Sequence, residues 1–447
     1  MPTRRTILLG GSALALATTG PLRAQSAPPV PILFVHGNGD HAALWMTTLW
    51  RFETNGWPRD RLHAFNFTDP LSRSDDAAAQ PGRSGTADQL RELAAAVEAL
   101  CARTGAHRIA LVASSRGGNA VRNYVVESGG AARVSHAVLC GTPNRGVFDW
   151  EASPGSEFNG RGPFLTMLNR RDSDVVPGTA FLTLRSDGND KFAQPDGRLI
   201  GRSGVATGIT AEGPALRGAT NIVLGQLDHR EVAFHPRAFR EIYRFIAGRE
   251  PAMLAVAPEP RVRLSGLVTG NAGGVPSNRP VEGATIEVHR VDPVTGARQG
   301  EVLLKQTTGP DGAWGALVAG PSDPLEFVLA VPGHPLTHIY RSPFLRSSEV
   351  VHLRPARPLS EADRAAGAVV QMTRPRGYFG IPRDVVLLDG KEPADVTKGV
   401  ATDSATVLRL PAAEIGRTIV GLFNEERIAL RAWGVAENRV AIAELTW

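Results

Sequence analysis

One stretch of the chain decides its fold: Ile109-Ala110-Leu111-Val112-Ala113-Ser114-Ser115-Arg116-Gly117-Gly118-Asn119-Ala120-Val121. Its first half is a short, unbroken apolar run, which is typical of a parallel strand buried on both faces. The run ends at Ser115, which has Ala113 two residues before it and Gly117 two residues after it. Small residues at these two positions predict a sharp strand-to-helix turn, because the turn presses them against each other and lifts the Ser115 hydroxyl above the sheet. The helix that follows would place the Arg116 N–H and the positive end of the helix dipole beside that hydroxyl.

Ser114 is the alternative residue for the top of this turn. Centring the turn on Ser114 would place Val112 and Arg116 at the two crowded positions, and neither side chain is small. We therefore expect Ser115 to be the reactive serine and Ser114 to be a helix cap or turn residue.

Residues 1–24 have the features of an export leader. Arg4 and Arg5 precede an apolar run at residues 13–17, and small residues around position 24 offer cleavage sites. The arginine pair predicts a twin-arginine signal peptide, which carries folded proteins; the alternative is an ordinary secretory leader. We expect an exported, periplasmic or extracellular protein with no integral membrane segment in its mature form.

Length and charge narrow the class of protein. A chain of 447 residues is too long for one core, which predicts two or three domains. The formal net charge is +5, but Arg4, Arg5 and Arg23 of the leader contribute three of these charges, and the other basic residues are scattered. We therefore expect no nucleic-acid partner. Cys101 and Cys140 lie in apolar segments, which favours core positions over a disulfide.

Strands and helices alternate over residues 30–248, which predicts a mostly parallel sheet with helices on both faces. The first predicted strand ends at His36-Gly37-Asn38-Gly39. Glycines directly after a strand let a backbone N–H approach a ligand, as an oxyanion hole requires. The long segment after residue 141 contains one apolar helix at residues 164–169, which is either a lid or acyl-pocket wall or a plain surface helix.

A serine nucleophile needs a base, and the base needs a carboxylate that fixes its tautomer. Candidates for all three follow predicted strand ends in the order Ser115, then Asp187 or Asp190, then His229. Parallel strands deliver such residues to one edge of a sheet. His235 is the alternative base. The remaining histidines have no ligand spacing, so neither a metal nor another cofactor is predicted.

These motifs resemble those of the α/β-hydrolase lipases and esterases. The resemblance covers residues 30–248 through the HGNG stretch, the Ser115 turn, Gly141-Thr142-Pro143-Asn144 and the segment from residue 164 to Asp190. It implies the reduced, six-stranded sheet of small bacterial lipases, since leader and spacer reach residue 29. It also implies Asp190 as the acid, and the N–H groups of Asn38 and Arg116 as oxyanion donors. The chain departs from the family in lacking a histidine before Ser115 and in placing the charged Arg116 after it.

The pattern changes after a proline-rich linker at residues 249–260. Period-two strands and Gly/Pro/Asp turns predict two small β-sandwich-like units, at residues 261–355 and 356–447. They offer no second set of catalytic groups. Trp314, Tyr378 and Phe379 are candidate exposed aromatics, which suggests that this β region holds the enzyme at a lipid or polymer surface. The alternative is that it only covers one face of the first domain.

Over its full length the chain is similar to archaeal long-chain triacylglycerol lipases, which join a small hydrolase domain to a C-terminal β-rich lipid-binding region. The stretch Tyr340-Arg341-Ser342-Pro343-Phe344-Leu345-Arg346 is part of this resemblance. Residues 262–355 separately resemble a carboxypeptidase regulatory-like β-sandwich. The expected function is an exported serine carboxylic-ester hydrolase that forms an acyl-enzyme on Ser115 and acts on a lipid or ester, at a lipid–water interface. Two alternatives are a polyester depolymerase of the polyhydroxyalkanoate type and a non-catalytic binding protein on a hydrolase scaffold, against which the complete Ser, Asp, His set argues.

Overall fold

A computed structural model describes residues 28–447 of the chain. The predicted twin-arginine leader lies outside these residues. No helix within the described part is both long and apolar enough to cross a bilayer.

The first domain is built on six parallel strands in the order β2-β1-β5-β6-β7-β8. This is the predicted reduced α/β-hydrolase sheet. Its domain contains strands β1 (Ile32–Val35), β2 (Leu62–Phe65), β3 (Leu71–Ser72), β4 (Arg83–Ser84), β5 (Ile109–Ser114), β6 (Val134–Cys140), β7 (Ala180–Arg185) and β8 (Thr220–Val223), and helices α1 (Met46–Thr54), α2 (Thr86–Thr104), α3 (Arg116–Arg122), α4 (Pro163–Asn169), α5 (Glu231–Phe234) and α6 (Pro236–Ala247).

Helices cover both faces of this sheet, as alternate residues of the central strands show. Phe34 and Val112 face a layer formed by α1 and α6, where Phe52 and Phe239 are buried. Leu33, Leu111 and Ala113 face the opposite layer, which α2 and α3 supply through residues that include Leu93, Val97 and Val121. Because both faces are covered, β5 is buried along its whole length, which explains its unbroken apolar sequence.

The two cysteines lie in this domain as core residues. Cys101 is on α2 and Cys140 ends β6; both are buried, and neither forms a disulfide. The preference for core positions over a pair is therefore confirmed.

The second half of the chain is almost entirely β. Its largest sheet has seven strands in the order β13-β12-β15-β16-β22-β17-β19, and smaller sheets pair β10 with β11, β14 with β9, and β18, β20 and β21. The elements are β9 (Val262–Leu267), β10 (Thr269–Ala272), β11 (Val275–Pro280), β12 (Thr285–Val291), β13 (Arg298–Thr307), β14 (Ala313–Ala319), β15 (Leu325–Ala330), β16 (Leu336–Arg341), α7 (Glu361–Arg364), β17 (Ala368–Thr373), β18 (Val386–Leu388), β19 (Ala405–Leu410), β20 (Thr418–Phe423), β21 (Glu426–Arg431) and β22 (Arg439–Glu444).

The seven-stranded sheet runs through both predicted β units. β16, from the first unit, pairs in parallel with β22, from the second, and β22 pairs in parallel with β17. A continuous sheet therefore crosses the predicted boundary at residues 355–356. Parallel pairs between strands so distant in sequence leave no local pattern to detect.

The aromatic residues expected on the surface of the β region are buried, so that expectation is wrong. Trp314 is 2% exposed, Phe379 0% and Tyr378 6%. Trp314 packs edge-on against Phe327, and its indole N–H donates to the Val351 carbonyl at 2.9 Å. Alternation of apolar and polar residues shows which residues share one face of a strand, but it does not show whether a second layer covers that face.

The β region instead completes a core that α1 begins. Met46 and Trp50 of α1 belong to the hydrophobic cluster of the β region, together with Leu264 and Phe344. The Trp50 indole N–H donates to the carbonyl of Ser347 at 3.0 Å. Removing the β region would therefore expose a large apolar face of α1.

Candidate active site

The turn after β5 has the backbone geometry that its sequence predicts. Ser115 has φ 51° and ψ −125°, a positive-φ conformation that costs free energy for any residue other than glycine. A Cβ atom at Gly117 would lie 2.4 Å from the His36 carbonyl oxygen, and one at Gly118 would lie 1.8 Å from the Thr142 hydroxyl. Only glycine allows α3 to start this close to the neighbouring strand ends.

Three of the predicted site residues meet at the carboxyl edge of the sheet. The Ser115 Oγ lies 2.9 Å from Nε2 of His229, and Nδ1 of His229 lies 2.8 Å from Oδ1 of Asp190. His229 and Asp190 are each 2% exposed. A carboxylate that accepts from Nδ1–H leaves Nε2 free to accept the serine proton. The arrangement can therefore generate a serine nucleophile.

Asp190 and His229 are held from other sides as well. The Phe192 N–H donates to Oδ1 of Asp190 at 2.9 Å. The Phe192 ring packs edge-on against the His229 imidazole, with ring centres 4.6 Å apart. These contacts restrict both side chains to the orientation in which they reach each other.

The alternative acid, Asp187, has a different role. Its carboxylate accepts from the N–H of Gln226 at 2.9 Å and of Asn189 at 3.1 Å, and so shapes the turn that leads to Asp190. Although burial alone would raise the pKa of Asp187, these hydrogen bonds lower it. The structure brings Asp190, and not Asp187, into hydrogen-bonding contact with His229.

The alternative base, His235, caps a helix. Its Nδ1 accepts from the Arg237 N–H at 3.1 Å at the start of α6. Burial lowers the pKa of His235 to about 4, which keeps the ring neutral and able to accept.

The His36-Gly37-Asn38-Gly39 loop lies directly against the serine. A Cβ atom at Gly37 would be 2.9 Å from Cβ of Ser115. The His36 ring fixes the loop, since Nδ1 donates to the Gly37 carbonyl at 2.9 Å and Nε2 accepts from the Phe67 N–H at 3.0 Å. Burial lowers the pKa of His36 to about 4, so the ring is neutral, as these two bonds require.

Asn38 and Arg116, the predicted oxyanion donors, flank Ser115. Asn38 lines the same cavity as Ser115, and its side-chain oxygen accepts from the Ser72 N–H at 2.8 Å. Arg116 is the first residue of α3, so no carbonyl of an earlier helical turn is available to its N–H.

The charge of Arg116 is directed away from the serine. Its guanidinium is buried, contacts Glu157 at 2.5 Å, and donates to the Pro70 carbonyl at 3.0 Å and to the Ser84 carbonyl at 2.6 Å. Burial raises the pKa of Glu157, and the positive charge of Arg116 offsets only part of this rise. The Arg116 side chain, where the sequence departs from the family pattern, therefore connects the serine turn to the insert after β6. Only the Arg116 backbone stays at the site.

Ser115 opens into a cavity of about 240 Å³. Its lining residues are Gly37, Asn38, Asp40, Ser114, Ser115, Pro143, Val147, Phe148, Phe158, Phe192, Ile200, His229, Arg230 and Tyr378. The helix that was a candidate wall, α4, contributes none of them, and its Leu165 and Leu168 are buried elsewhere. The segments on either side of α4 form the apolar wall. A larger cleft of about 1030 Å³ between the domains contains none of Ser115, Asp190 and His229.

Tyr378, which the sequence predicts on the surface of the β region, instead reaches this cavity, and no sequence signal places it there. The sequence also did not predict the ionic cluster that fixes the loop of His229 to the β region. Arg374 is buried and donates to Asp228 at 2.9 Å and to Glu231 at 2.7 Å, on both sides of His229. Burial alone would raise the pKa of Glu231, but Arg374 and a second arginine, Arg383, hold it below its usual range. No local signal predicts a contact between residues so far apart in the chain.

Residues 28–447 contain no group of three His, Cys, Asp or Glu side chains placed to hold a metal ion.

Two stretches of the chain match known protein families. Residues 29–142 match the family of class 2 lipases, and residues 261–358 match the lipase C-terminal domain.

Several solved structures are similar at low sequence identity. The propeptide form of the Bacillus licheniformis lipase BlEst2 is 16% identical, covers 62% of this chain and 60% of its own, and gives a TM-score of 0.38. Its mature form is 19% identical, covers 50% of this chain and 94% of its own, and gives a TM-score of 0.35. Aspergillus fumigatus lipase B is 15% identical over 51% of this chain and 54% of its own, with a TM-score of 0.36.

With both lipase domains matched and the first of them on an α/β-hydrolase sheet, the chain is an α/β-hydrolase lipase with a C-terminal domain, and it is a carboxylic ester hydrolase.

Proposed function

We propose that the protein is an exported lipase or esterase that works through an acyl-enzyme on Ser115. The observation that carries this proposal is the unbroken chain of contacts from Ser115 through His229 to Asp190, at 2.9 and 2.8 Å. Ser115 and His229 line a cavity with a mainly apolar lining, as an ester with a hydrocarbon acyl chain requires.

The reaction would proceed in two stages. In the first, the Ser115 oxygen attacks the ester carbonyl while Nε2 of His229 takes its proton, and Asp190 stabilises the resulting imidazolium. The N–H groups of Asn38 and Arg116 donate to the oxygen that becomes negative. The imidazolium then gives its proton to the departing alcohol, which leaves the acyl group on Ser115.

In the second stage water takes the place of the alcohol. His229 accepts a proton from water as the water oxygen attacks the acyl-enzyme, and it returns that proton to Ser115 as the carboxylic acid leaves. The enzyme ends in its starting protonation state, and no redox partner is needed.

The lining of the cavity supports a lipid or simple ester over a polymer. Val147, Phe148, Phe158 and Ile200 offer apolar contact to an acyl chain, and each methylene that they bury contributes about 0.8 kcal/mol. The aromatics that were expected to hold a lipid or polymer surface are buried, so the β region offers no such contact to an insoluble polymer. The binding-protein alternative has no support from the two lipase family matches.

Labelling tests this proposal directly. The purified protein should hydrolyse p-nitrophenyl butanoate, and a fluorophosphonate ester should block this activity and add its mass to the peptide that carries Ser115. Labelling of a different residue, or full activity after stoichiometric labelling of Ser115, would contradict the mechanism.

We also propose export by the twin-arginine route, which the pair Arg4 and Arg5 supports. Replacing both by lysine should retain the protein in the cytoplasm. Unchanged delivery across the inner membrane would indicate the ordinary secretory route.

A further inference from the structure

Among residues 28–447, Tyr378 is the one residue of the β region that lines the cavity. It follows β17, yet it lies in the same cavity as Ser115, Asn38 and His229. The β region therefore forms part of the wall around the reacting serine.

The backbone of Tyr378 is fixed to the loop that carries His229. Its N–H donates to Asp228 at 2.8 Å, and its carbonyl accepts from the buried guanidinium of Arg374 at 2.6 Å. Because Asp228 immediately precedes His229, the positions of Tyr378 and of the proposed base are linked.

Two cations fix the Tyr378 ring. Lys191 Nζ lies 4.0 Å from the ring centre, and the Arg230 guanidinium carbon lies 5.0 Å from it. Cations over an aromatic face attract its negative charge density, so they restrict the ring to one plane. Lys191 is further held by a hydrogen bond of 2.9 Å to the Thr402 carbonyl.

The Tyr378 hydroxyl has no hydrogen-bond partner among residues 28–447, although the residue is only 6% exposed. A buried tyrosine hydroxyl usually finds a partner, because leaving it unpaired costs free energy. This hydroxyl is not among the fully enclosed unpaired atoms of residues 28–447, so it keeps accessible surface, and Tyr378 lines the cavity. Burial raises the pKa of Tyr378 to about 12, which leaves the hydroxyl protonated and able to donate.

Three polar residues of the cavity lie together. Arg230, which packs against the Tyr378 ring, has its Nε 3.7 Å from Oδ2 of Asp40, and all three residues line the cavity. Much of the apolar lining comes from another part of the chain, the insert that contributes Val147 and Phe158. The acyl chain of an ester suits the apolar wall, so the oxygen-bearing alcohol part is the part that suits Tyr378 and Asp40.

We propose that the Tyr378 hydroxyl hydrogen bonds a free hydroxyl on the alcohol part of the substrate. The enzyme then favours esters whose alcohol keeps hydroxyl groups, such as partial glycerides, over esters of simple alcohols. This proposal rests on the proposed function, because it takes Ser115 as the atom that receives the acyl group.

Two water-soluble esters test the proposal: 1-butanoylglycerol and propyl butanoate. Both transfer the same butanoyl group to the enzyme, so any difference in kcat/KM reports contacts to the alcohol part. The ratio compared is kcat/KM for 1-butanoylglycerol divided by kcat/KM for propyl butanoate. We expect Tyr378→Phe to lower this ratio by about 3- to 10-fold, the range for one neutral hydrogen bond. The fall should come from the glycerol ester, because propyl butanoate has no free hydroxyl for Tyr378 to bind.

Tyr340→Phe is the matched control. The Tyr340 hydroxyl lies in the interior of the β region, where it accepts from the Trp433 indole N–H at 3.2 Å, and it does not line the cavity. This variant should leave the ratio unchanged. Tyr378→Phe removes an atom without a protein partner, so its Tm should match that of the wild type.

An unchanged ratio in Tyr378→Phe would overturn the proposal, including the case in which both kcat/KM values fall equally. If the wild type hydrolyses neither ester, the proposed function itself is wrong and this proposal falls with it.

Discussion

Two aspartates three positions apart in one loop have different tasks. Asp190 accepts from the imidazole of His229, whereas Asp187 accepts from backbone N–H groups that form the turn. The difference arises because the turn that Asp187 stabilises places the Asp190 carboxylate beside the imidazole.

Exchanging each carboxylate for an amide should separate these tasks. Asp190→Asn should lower kcat/KM for p-nitrophenyl butanoate by about 10³- to 10⁴-fold, because an amide can stabilise the wrong tautomer of His229. Asp187→Asn is the matched control, and it should keep activity within about tenfold, since it weakens hydrogen bonds that contribute ~1 kcal/mol each. A larger loss in Asp187→Asn than in Asp190→Asn would reverse the assignment.

Local sequence patterns predicted the residues of this site because each follows a strand of one parallel sheet. Ser115 was identified from the small residues around it, and His229 from the end of the last strand. Asp190 could be separated from Asp187 only by the family resemblance, since both follow the same strand and hydrophobic pattern does not fix where a loop turns. Tyr378 could not be predicted, because its place in the site depends on packing between domains.

At the level of elements, the loop between β8 and α5 is held by the other domain. Asp228 and Glu231 both pair with Arg374, and Arg383 donates to Glu231 at 2.7 Å. His229 lies between the two acids. The orientation of the proposed base therefore depends on a residue of the β region.

Arg374→Met should destabilise the fold and reduce activity together. It leaves Asp228 and Glu231 with too few partners in a buried site, which costs about 3–5 kcal/mol for a broken buried pair. We expect a lower Tm, and a fall in kcat for p-nitrophenyl butanoate at temperatures where the variant is still folded, because the His229 loop loses its support.

Arg417→Met is the control for removing an arginine from the β region. Arg417 pairs with Asp389 and Glu414 but is 39% exposed, and exposed pairs contribute about 0–1 kcal/mol. Its Tm and kcat should stay near those of the wild type. Equal behaviour of the two variants would show that the Arg374 cluster does not support the site.

For the whole molecule, the β region is part of the enzyme rather than an appended anchor. It covers Met46 and Trp50 of α1, supplies Tyr378 to the cavity and fixes the loop of His229. The strands of this region were predictable from alternating residues. The continuous sheet and the burial of Trp314 and Phe379 were not, because they result from contacts between distant segments.

A chain that ends near residue 250 should therefore fail on every ester. We expect an insoluble protein, or one with large and equal losses on soluble p-nitrophenyl butanoate and on emulsified long-chain triacylglycerol. Near-normal turnover of the soluble ester with loss only on the emulsion would instead support the surface-anchor hypothesis.

Buried histidines make the fold sensitive to acid. Burial lowers the pKa of His36 to about 4 and that of His352 to about 3, from an ordinary value of 6.5. Between pH 6.5 and 4 the unfolded chain binds protons that the folded chain does not, so the free energy of unfolding is highest above pH 6.5 and falls as the pH falls. His36 alone contributes roughly 3 kcal/mol to this fall, at about 1.4 kcal/mol per pH unit.

The Tm measured from pH 7 to pH 4 checks this effect. His352→Gln should show a shallower decrease than the wild type, because the variant lacks one of the groups that the unfolded chain protonates. A decrease of equal slope in both proteins would show that His352 is not held neutral by the fold.

The most direct test of the central claim is the activity of Ser115→Ala beside that of Ser114→Ala. We expect Ser115→Ala to keep its Tm and to lose at least ~10³-fold in kcat/KM on p-nitrophenyl butanoate, the scale for a residue of such a triad. Ser114→Ala should stay within about tenfold of the wild type. Activity of Ser115→Ala close to that of the wild type would contradict the assignment of Ser115 as the nucleophile.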